Sequence, residues 1–225
     1  MKPDANESLD ERGYAVVQDA LSAKDALGLT RLWDDDAAFR KRVVMQQHGF
    51  GQGEYRYFAY PLPPVVQRLR ESLYAELAPV ANRWREQLGL EPDFPAELAK
   101  YLDRCHAAGQ NRPTPLVLRY EESDYNCLHQ DLYGEHVFPL QATVLLSEPG
   151  RDFTGGEFLL VEQRPRAQSR GEVVPLGPGD AVVFAVRERP RLGTRGFHRV
   201  QMRHGVSRLR SGLRFTLGVI FHDAA

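Results

Sequence analysis

The sequence has few cysteines and no long apolar segment, and each shortage excludes a class of protein. Two cysteines in 225 residues, Cys105 and Cys127, are too few for a disulfide framework, and neither lies in a CxxC motif. No apolar run approaches the roughly 20 residues that a membrane span needs. The first residues, MKPDANESLDERG, are polar and acidic, unlike a signal peptide. We therefore expect a cytoplasmic protein with free thiols.

The chain as a whole also lacks an excess of either charge, but its charges are unevenly distributed. The net charge is −1. Residues 1–160 carry 17 Lys and Arg against 25 Asp and Glu, a balance of −8, whereas residues 161–225 carry 12 Arg against 5 acids, a balance of +7. A basic C-terminal third favours an anionic ligand or nucleic acid, although a solvated charged face has the same composition.

Helical periodicity dominates the first half of the chain. Residues 1–12 are expected to form a frayed polar leader. Apolar residues then recur at three- and four-residue steps over 63–89, and a further helix is predicted over 95–108. We also expect a short helix over 36–44 and a Gly- and aromatic-rich loop over 49–58, which is either a substrate lid or a structural connection.

Beyond residue 112 the period changes from helical to strand-like. Helices first and strands second indicate the α+β class, and eight short antiparallel strands fit a jelly roll, or double-stranded β-helix. We predict a single domain over 1–225, with a mainly helical part at 1–112 packed on one sheet of a double-stranded β-helix core at 113–223. The predicted strands are 115–120, 125–130, 139–147, 156–162, 171–176, 180–186, 198–205 and 213–221.

A histidine and an aspartate two positions apart form the most informative motif. Successive strand side chains alternate faces, so His129 and Asp131 can bind one metal ion from the same side. A second histidine would complete the ligand set that suits non-heme Fe(II) and leaves coordination positions open. His198 and His204 both lie on the penultimate predicted strand. We prefer His204, because the hairpin after it brings Arg214 to the same interior.

An arginine that faces the barrel interior needs a partner, because a lone buried cation is costly. No acidic residue shares the strand face of Arg214. A dicarboxylate co-substrate would supply the partner, since a carboxylate matches the fork of the guanidinium. Thr216, on the same face, and Tyr120, nine residues before His129, are candidate donors of further hydrogen bonds. The alternative is that Arg214 reaches water at the barrel mouth.

Together these residues resemble the Fe(II)- and 2-oxoglutarate-dependent dioxygenases, whose core is a double-stranded β-helix. His129, Asp131 and His204 match the iron ligands of that superfamily, and Arg214 with Thr216 matches its clamp for the C5 carboxylate of 2-oxoglutarate. The resemblance implies Fe(II) as cofactor and 2-oxoglutarate and O₂ as co-substrates.

Two narrower resemblances concern the substrate. The GGEF and PGDAVVF segments are similar to prolyl-hydroxylase-type members. The arrangement of Tyr120 and His129 resembles AlkB-type enzymes, and the segments RPTPLVLRY, DYNCLHQDLYGEHVFPLQ and SEPGRDFTGGEF resemble a bacterial family labelled as an oxygenase for oxidative dealkylation of damaged nucleic acid.

Three functions are consistent with these residues. The first is oxidation of alkylated nucleic-acid bases, in which Arg-rich loops contact phosphates and aromatic side chains stack on an extruded base. The second is hydroxylation of an amino-acid residue or a small metabolite. The third is a non-catalytic metal-binding jelly roll, which has no use for a dicarboxylate clamp. The aromatic candidates are Tyr55, Tyr57, Phe58 and Tyr133. The candidate phosphate contacts are Arg164, Arg166, Arg170, Arg187, Arg189, Arg191 and Arg195.

Overall fold

Helices cover one side of a pair of antiparallel sheets in the computed structural model, which describes residues 3–225 and the side chains from residue 5 onward. The α-helices of this part are α1 (Pro3–Arg12), α2 (Ala23–Arg31), α3 (Pro64–Gln87) and α4 (Leu98–Ala107). Its strands are β1 (Tyr14–Val17), β2 (Phe39–Val44), β3 (Gly51–Gln52), β4 (Glu54–Phe58), β5 (Leu116–Tyr120), β6 (Tyr125–His129), β7 (Leu140–Leu145), β8 (Phe153–Gly155), β9 (Phe158–Gln163), β10 (Arg170–Val174), β11 (Ala181–Ala185), β12 (Glu188–Gly193), β13 (Gly196–Val206), β14 (Leu209–Gly212) and β15 (Arg214–Val219). None of the described helices has the length and apolarity that a membrane crossing requires.

The strands form two main sheets that face each other. The larger sheet has the order β1-β11-β7-β15-β5-β4-β2, and the smaller has the order β10-β9-β13-β6-β3, with β12 added beside β13. A further pair, β14 and β8, lies apart from both. Helices combined with antiparallel sheets confirm the predicted α+β class. The single-domain organisation stays a prediction, for which one cooperative unfolding transition is the test.

The main core lies between the helices and one face of the larger sheet. Phe215, Leu217 and Val219 alternate along β15 and pack in one cluster with Leu77 and Trp84 of α3. Burial of each such side chain contributes about 1.5–3 kcal/mol. The predicted facing of β15 is therefore observed, and its other face points into the space between the two sheets, where the functional site lies.

All eight strands predicted beyond residue 112 are present, and three more accompany them. The additional strands are β8, β12 and β14. The sequence of β12, ERPRLG, is rich in Arg and contains Pro, which strands disfavour. Its pairing with β13 over Glu188–Gly193 holds it in the sheet, and such non-local pairing leaves no mark in the local pattern.

The predicted frayed leader at 1–12 is wrong. Residues from Pro3 onward form α1, and Leu9 is buried in the main core. The end of the helix is held by Arg189, whose Nη1 and Nη2 donate to the carbonyl oxygens of Asp10 and Glu11 at 3.0 and 2.9 Å. The contact that stabilises the helix comes from far along the chain, so local composition could not reveal it. Residues 1–2 lie outside the described part.

The predicted helix over 36–44 and the predicted loop over 49–58 are also wrong. Phe39–Val44 forms β2, and Glu54–Phe58 forms β4, which pairs with both β2 and β5. Alternation of aromatic and charged residues in EYRYF is a strand period of two, which the neighbouring glycines obscured. A strand hydrogen-bonded on both sides does not act as a lid.

Candidate metal centre and co-substrate pocket

Two adjacent strands of the smaller sheet bring the predicted metal ligands together. His129 ends β6 and lies directly opposite His204 on β13. The Nε2 atoms of His129 and His204 lie 3.5 and 3.3 Å from the two carboxylate oxygens of Asp131. One ligand atom from each residue lies within 4.8 Å of the others, a spacing that suits a single ion. The alternative ligand, His198, is exposed and pairs with Arg191 in the β12–β13 hairpin.

Neighbouring groups orient these ligands. The Nδ1 of His129 lies 2.8 Å from the carbonyl oxygen of Cys127, and we assign the ring proton to this bond, which leaves the Nε2 lone pair free for a metal. Tyr133 Oη donates to Asp131 at 2.7 Å, and the Gln141 amide donates to its other oxygen at 2.8 Å. Partners of this kind fix the geometry of a metal ligand. Neither role was predicted.

Charge and burial act against each other at this centre. Burial favours the neutral form of His129, but the hydrogen bond and charge of Asp131 outweigh it and raise the His129 pKa. Burial alone would raise the pKa of Asp131, yet hydrogen bonds from His129 and His204 hold it well below its usual value. Burial and the neighbouring His129 lower the pKa of His204. An ionised carboxylate beside a neutral imidazole is the protonation state that binds a divalent cation.

A cavity of about 320 Å³ opens at the three ligands. Its lining contains no Lys, Arg or Glu, and Asp131 is its only acid. Phe50, 47% exposed, borders this metal cavity together with Tyr55. A charged group that entered such a lining would lose water without gaining a partner, apart from the metal itself.

Arg214 is a buried cation that forms no ion pair with any of the described residues. It is 2% exposed and lies opposite Tyr120 of β5 in the strand register. Its Cζ atom lies 5.6 Å from the Tyr120 ring centre and 5.7 Å from that of Phe153. Among the described residues, nothing accepts a hydrogen bond from its Nε or Nη1. Burial lowers its pKa to about 10, opposed by Tyr120 and Glu157, so the guanidinium stays charged at neutral pH.

The predicted co-substrate residues border two different cavities. Tyr120 and Thr216 line the metal cavity, whereas Arg214 lies behind Tyr120 and borders a second cavity of about 370 Å³. Phe158 lines both cavities. Asn126, which was not predicted, donates to Tyr120 Oη at 3.3 Å. Buried N–H groups without acceptors fit a carboxylate ligand, although the assignment of Arg214, Thr216 and Tyr120 to 2-oxoglutarate stays a prediction.

The predicted stacking aromatics are only partly available to a ligand. Phe58 is fully buried in the main core and Tyr57 is buried as well, so stacking by these two side chains is excluded. Tyr55 and Tyr133 line the metal cavity. Phe50 was missed, because the segment around it was interpreted as a loop of unspecified conformation.

Three of the predicted phosphate-binding arginines are paired with one buried glutamate. Glu162, which is buried, forms ion pairs with Arg164, Arg189 and Arg191. Arg189 is fully buried, so the prediction that it contacts phosphate is wrong. Burial would raise the pKa of the Glu162 carboxyl, but Arg164 and Arg189 lower it.

Comparisons with known proteins agree with this site. A family model described as an oxygenase catalysing oxidative methylation of damaged DNA matches residues 53–224. An uncharacterized protein of Mycobacterium tuberculosis is 54% identical over 168 residues, 75% of this chain and 72% of that protein. A Pseudomonas putida prolyl-4-hydroxylase superimposes with a TM-score of 0.58 at 13% identity, over 97% of this chain and 96% of that chain. A 2OG-Fe(II) oxygenase family oxidoreductase from Burkholderia pseudomallei gives 0.54 at 17% identity, over 99% and 92%.

These similarities confirm the predicted family resemblance and the jelly-roll fold. The three ligands described above are those that suit non-heme Fe(II). The chain belongs to the matched oxygenase family, and its fold is that of the 2-oxoglutarate- and Fe(II)-dependent oxygenases.

Proposed function

We propose that this protein is an Fe(II)- and 2-oxoglutarate-dependent dioxygenase that demethylates alkylated bases in nucleic acid. His129, Asp131 and His204 would hold Fe(II), and Arg214 would pair with the distal carboxylate of 2-oxoglutarate. The observation that carries the proposal is the buried Arg214, which forms no ion pair with any described residue and precedes Thr216, a residue of the metal-cavity wall, by two positions.

The side chains of this site divide the work between holding and positioning. When bound, Fe(II) with 2-oxoglutarate and O₂ supplies the oxidant for a C–H bond. Tyr133 and Gln141 keep the Asp131 carboxylate aimed at the metal position. Thr216 and Tyr120 are hydroxyl donors on the co-substrate side. The apolar walls exclude water from the reacting groups.

The uncharged lining of the metal cavity supports a base as the substrate group. An alkylated base is planar, and Phe50 and Tyr55 offer aromatic surface at the cavity. Hydroxylation of an N-methyl carbon gives an N–CH₂OH group, which loses formaldehyde and leaves the N–H form of the base. The matched family is itself described as acting on damaged DNA.

The same lining leaves a second candidate. An uncharged side chain within a peptide would also enter the metal cavity without losing a charge to desolvation. A free amino acid fits less well, because its ammonium and carboxylate groups would both need partners. A non-catalytic metal-binding jelly roll is disfavoured by Arg214, because such a protein has no use for a buried, unpaired guanidinium.

Turnover measurements distinguish these functions. Purified protein with Fe(II), ascorbate, 2-oxoglutarate and O₂ is offered methylated single-stranded DNA and, separately, a panel of peptides, amino acids and metabolites. We expect equimolar succinate and formaldehyde with the DNA, and neither product with Asp131→Ala. Succinate coupled to a peptide or metabolite instead, with no methyl loss from DNA, would replace the nucleic-acid substrate by the second candidate.

We also propose that the protein works in the cytoplasm. Cys105 and Cys127 are both free, and Cys127 is exposed beside the metal ligands. Exposed thiols persist in a reducing compartment. Fractionation of cells should recover the protein with cytoplasmic markers, and recovery in a secreted fraction would contradict this.

A further inference from the structure

The end of the smaller sheet that holds the metal ligands is extended by the β12–β13 hairpin, which we call the arm. β13 pairs with β9 only over Gln201–Val206, and from Gln201 back to Gly196 it pairs with β12. β6 runs antiparallel to β13 and reaches its ligand His129 at this same end. The β12–β13 hairpin therefore extends the sheet beyond the metal centre. Seven residue steps separate Phe197 from His204, a length of about 23 Å.

The turn between β9 and β10 lies at this end as well. Gln163, the last residue of β9, is opposite Gln201 of β13, so residues 164–169 lie beside the base of the arm. The two Arg-rich segments of the sequence are thus brought together by strand pairing. Five exposed arginines remain here, and within the described residues none of their side chains forms a hydrogen bond or ion pair. These five, named here the arginine surface, are Arg166, Arg170, Arg187, Arg195 and Arg203. The arginine surface wraps around this end of the sheet, because Arg170 lies opposite Glu162 on the face of His204, whereas Arg203 points to the other face.

The acids of this region are already engaged. Glu162 holds three other arginines, Glu188 pairs with Arg199 at 3.1 Å, and Glu172 accepts a hydrogen bond from the Tyr14 hydroxyl at 3.1 Å. The arginine surface consequently keeps its positive charge, which is the electrostatic footprint of a polyanion site.

Apolar side chains accompany these charges on the arm. Phe197 and Leu192 face each other across the hairpin and are 43% and 67% exposed. Phe197 and Arg203 are six residues apart and lie on the same face of β13, because strand side chains alternate faces. By the same alternation this is the outer face of the sheet, opposite to the face of His204. A cationic track with an exposed aromatic ring is the combination that binds single-stranded nucleic acid, with phosphates on the arginines and a base on the ring.

The arm is also connected to the metal strand. Gln130 lies between the metal ligands His129 and Asp131 in the sequence. Its side-chain amide donates to the carbonyl oxygens of Arg187 and Met202 at 3.1 and 2.8 Å. The base of the arm is therefore fixed relative to the metal cavity. We propose that the arginine surface and Phe197 bind a single strand of nucleic acid that passes around this end of the sheet, from its outer face to that cavity. This inference rests on the nucleic-acid function proposed above.

The test measures binding of a fluorescein-labelled single-stranded 20-mer by anisotropy between 50 and 200 mM NaCl. Five phosphate contacts predict a salt slope of about −3.5, hence roughly a 100-fold loss of affinity over this range. The double variant R195Q/R203Q should lower the slope by about 1.4. Phe197→Ser should weaken binding about five-fold or more without changing the slope, because stacking releases no counterions.

The matched control is Arg42→Gln, which removes an exposed arginine that pairs with Glu54 on the larger sheet. It should leave both affinity and slope unchanged. Unaltered binding by R195Q/R203Q would overturn the proposal. Binding of phosphatidylserine vesicles as tightly as the oligonucleotide would also overturn it. So would equally tight binding of heparin together with no effect of Phe197→Ser, because either result would indicate a generic anion-binding surface.

A parallel titration of the wild type and Arg42→Gln with Fe(II) and 2-oxoglutarate separates the two proposals. Normal binding of Fe(II) and 2-oxoglutarate without oligonucleotide binding would rule out the nucleic-acid surface and would leave the proposed dioxygenase function unaffected. Oligonucleotide binding without binding of Fe(II) and 2-oxoglutarate would rule out the dioxygenase function and would leave the nucleic-acid surface standing.

Discussion

Arg70 and Arg214 are both buried arginines, and their surroundings differ completely. Arg70 pairs with the buried Asp223 at 2.8 Å, and its other nitrogens donate to Tyr60 Oη and to the carbonyl oxygen of Ile220. Arg214 has no acidic partner among the described residues, and two of its nitrogens have no acceptor. Folding thus satisfies one guanidinium internally and leaves the other unpaired, and an isolated buried cation costs stability unless a ligand pairs with it.

The largest effect should come from breaking the internal pair. Asp223→Ala leaves the Arg70 guanidinium buried and unpaired, so we expect the free energy of unfolding to fall by about 3–5 kcal/mol in urea titrations. Glu54→Ala, which removes the partner of the exposed Arg42, is the control and should cost less than about 1 kcal/mol. Equal losses would show that burial does not distinguish the two pairs.

Substitution of the unpaired arginine should have the opposite profile. If Arg214 pairs with 2-oxoglutarate as proposed, Arg214→Leu removes two charge-assisted hydrogen bonds, and the affinity for 2-oxoglutarate measured by calorimetry should fall about 100-fold or more. Stability should stay level or increase, because a desolvated charge is lost. Arg70→Leu is the matched variant and should destabilise the fold. Unchanged 2-oxoglutarate affinity in Arg214→Leu would show that the clamp is misassigned.

The Arg70 region also predicts a pH dependence. Burial, together with the charge of Arg70, lowers the pKa of His222 to about 4. Because the folded state keeps this imidazole neutral while the unfolded chain protonates it below about 6.5, stability is lost as the pH falls from 6.5 towards 4.

Comparison of the wild type with His222→Gln isolates that contribution. Between pH 7 and pH 5 the wild type should lose about 2 kcal/mol more than the variant in urea unfolding experiments. Parallel pH profiles for the two proteins would contradict the buried neutral imidazole.

The smallest expected effect concerns the positioning of a metal ligand. Tyr133→Phe removes a hydrogen bond to Asp131 without changing the ligand set, so Fe(II) affinity should fall about ten-fold in anaerobic titrations. Tyr125→Phe changes a tyrosine whose ring lies beside Arg208, and it should bind iron like the wild type. A normal Fe(II) affinity in Tyr133→Phe would remove Tyr133 from the site.

The sequence alone could predict that two metal ligands share one face of a strand, because the alternation of side chains along a strand is a local property. His129 and Asp131 share a face whatever the rest of the fold does, and the Arg214 face of β15 followed from the apolar alternation of Phe215, Leu217 and Val219. The pairing of His129 with His204 required only that two strands be neighbours.

Features that depend on distant partners were not accessible in this way. Gln141 meets Asp131 because β7 lies across the cavity, and nothing near Gln141 indicates that contact. Similarly, the local sequence around Arg189 predicted a surface cation, because its contacts with Glu162 and with the end of α1 come from distant parts of the chain. Tyr133, two residues after Asp131, was the one missed positioning residue for which spacing offered a signal.

The most direct test of the comparison is an anaerobic titration of Fe(II) and 2-oxoglutarate, followed by visible absorbance. We expect the wild type to develop a weak charge-transfer band that saturates near one iron per chain, and Arg214→Leu to require a much higher 2-oxoglutarate concentration for the same band. Absence of the band in the wild type at saturating iron and 2-oxoglutarate would contradict the assignment of the His129, Asp131 and His204 centre and of its co-substrate.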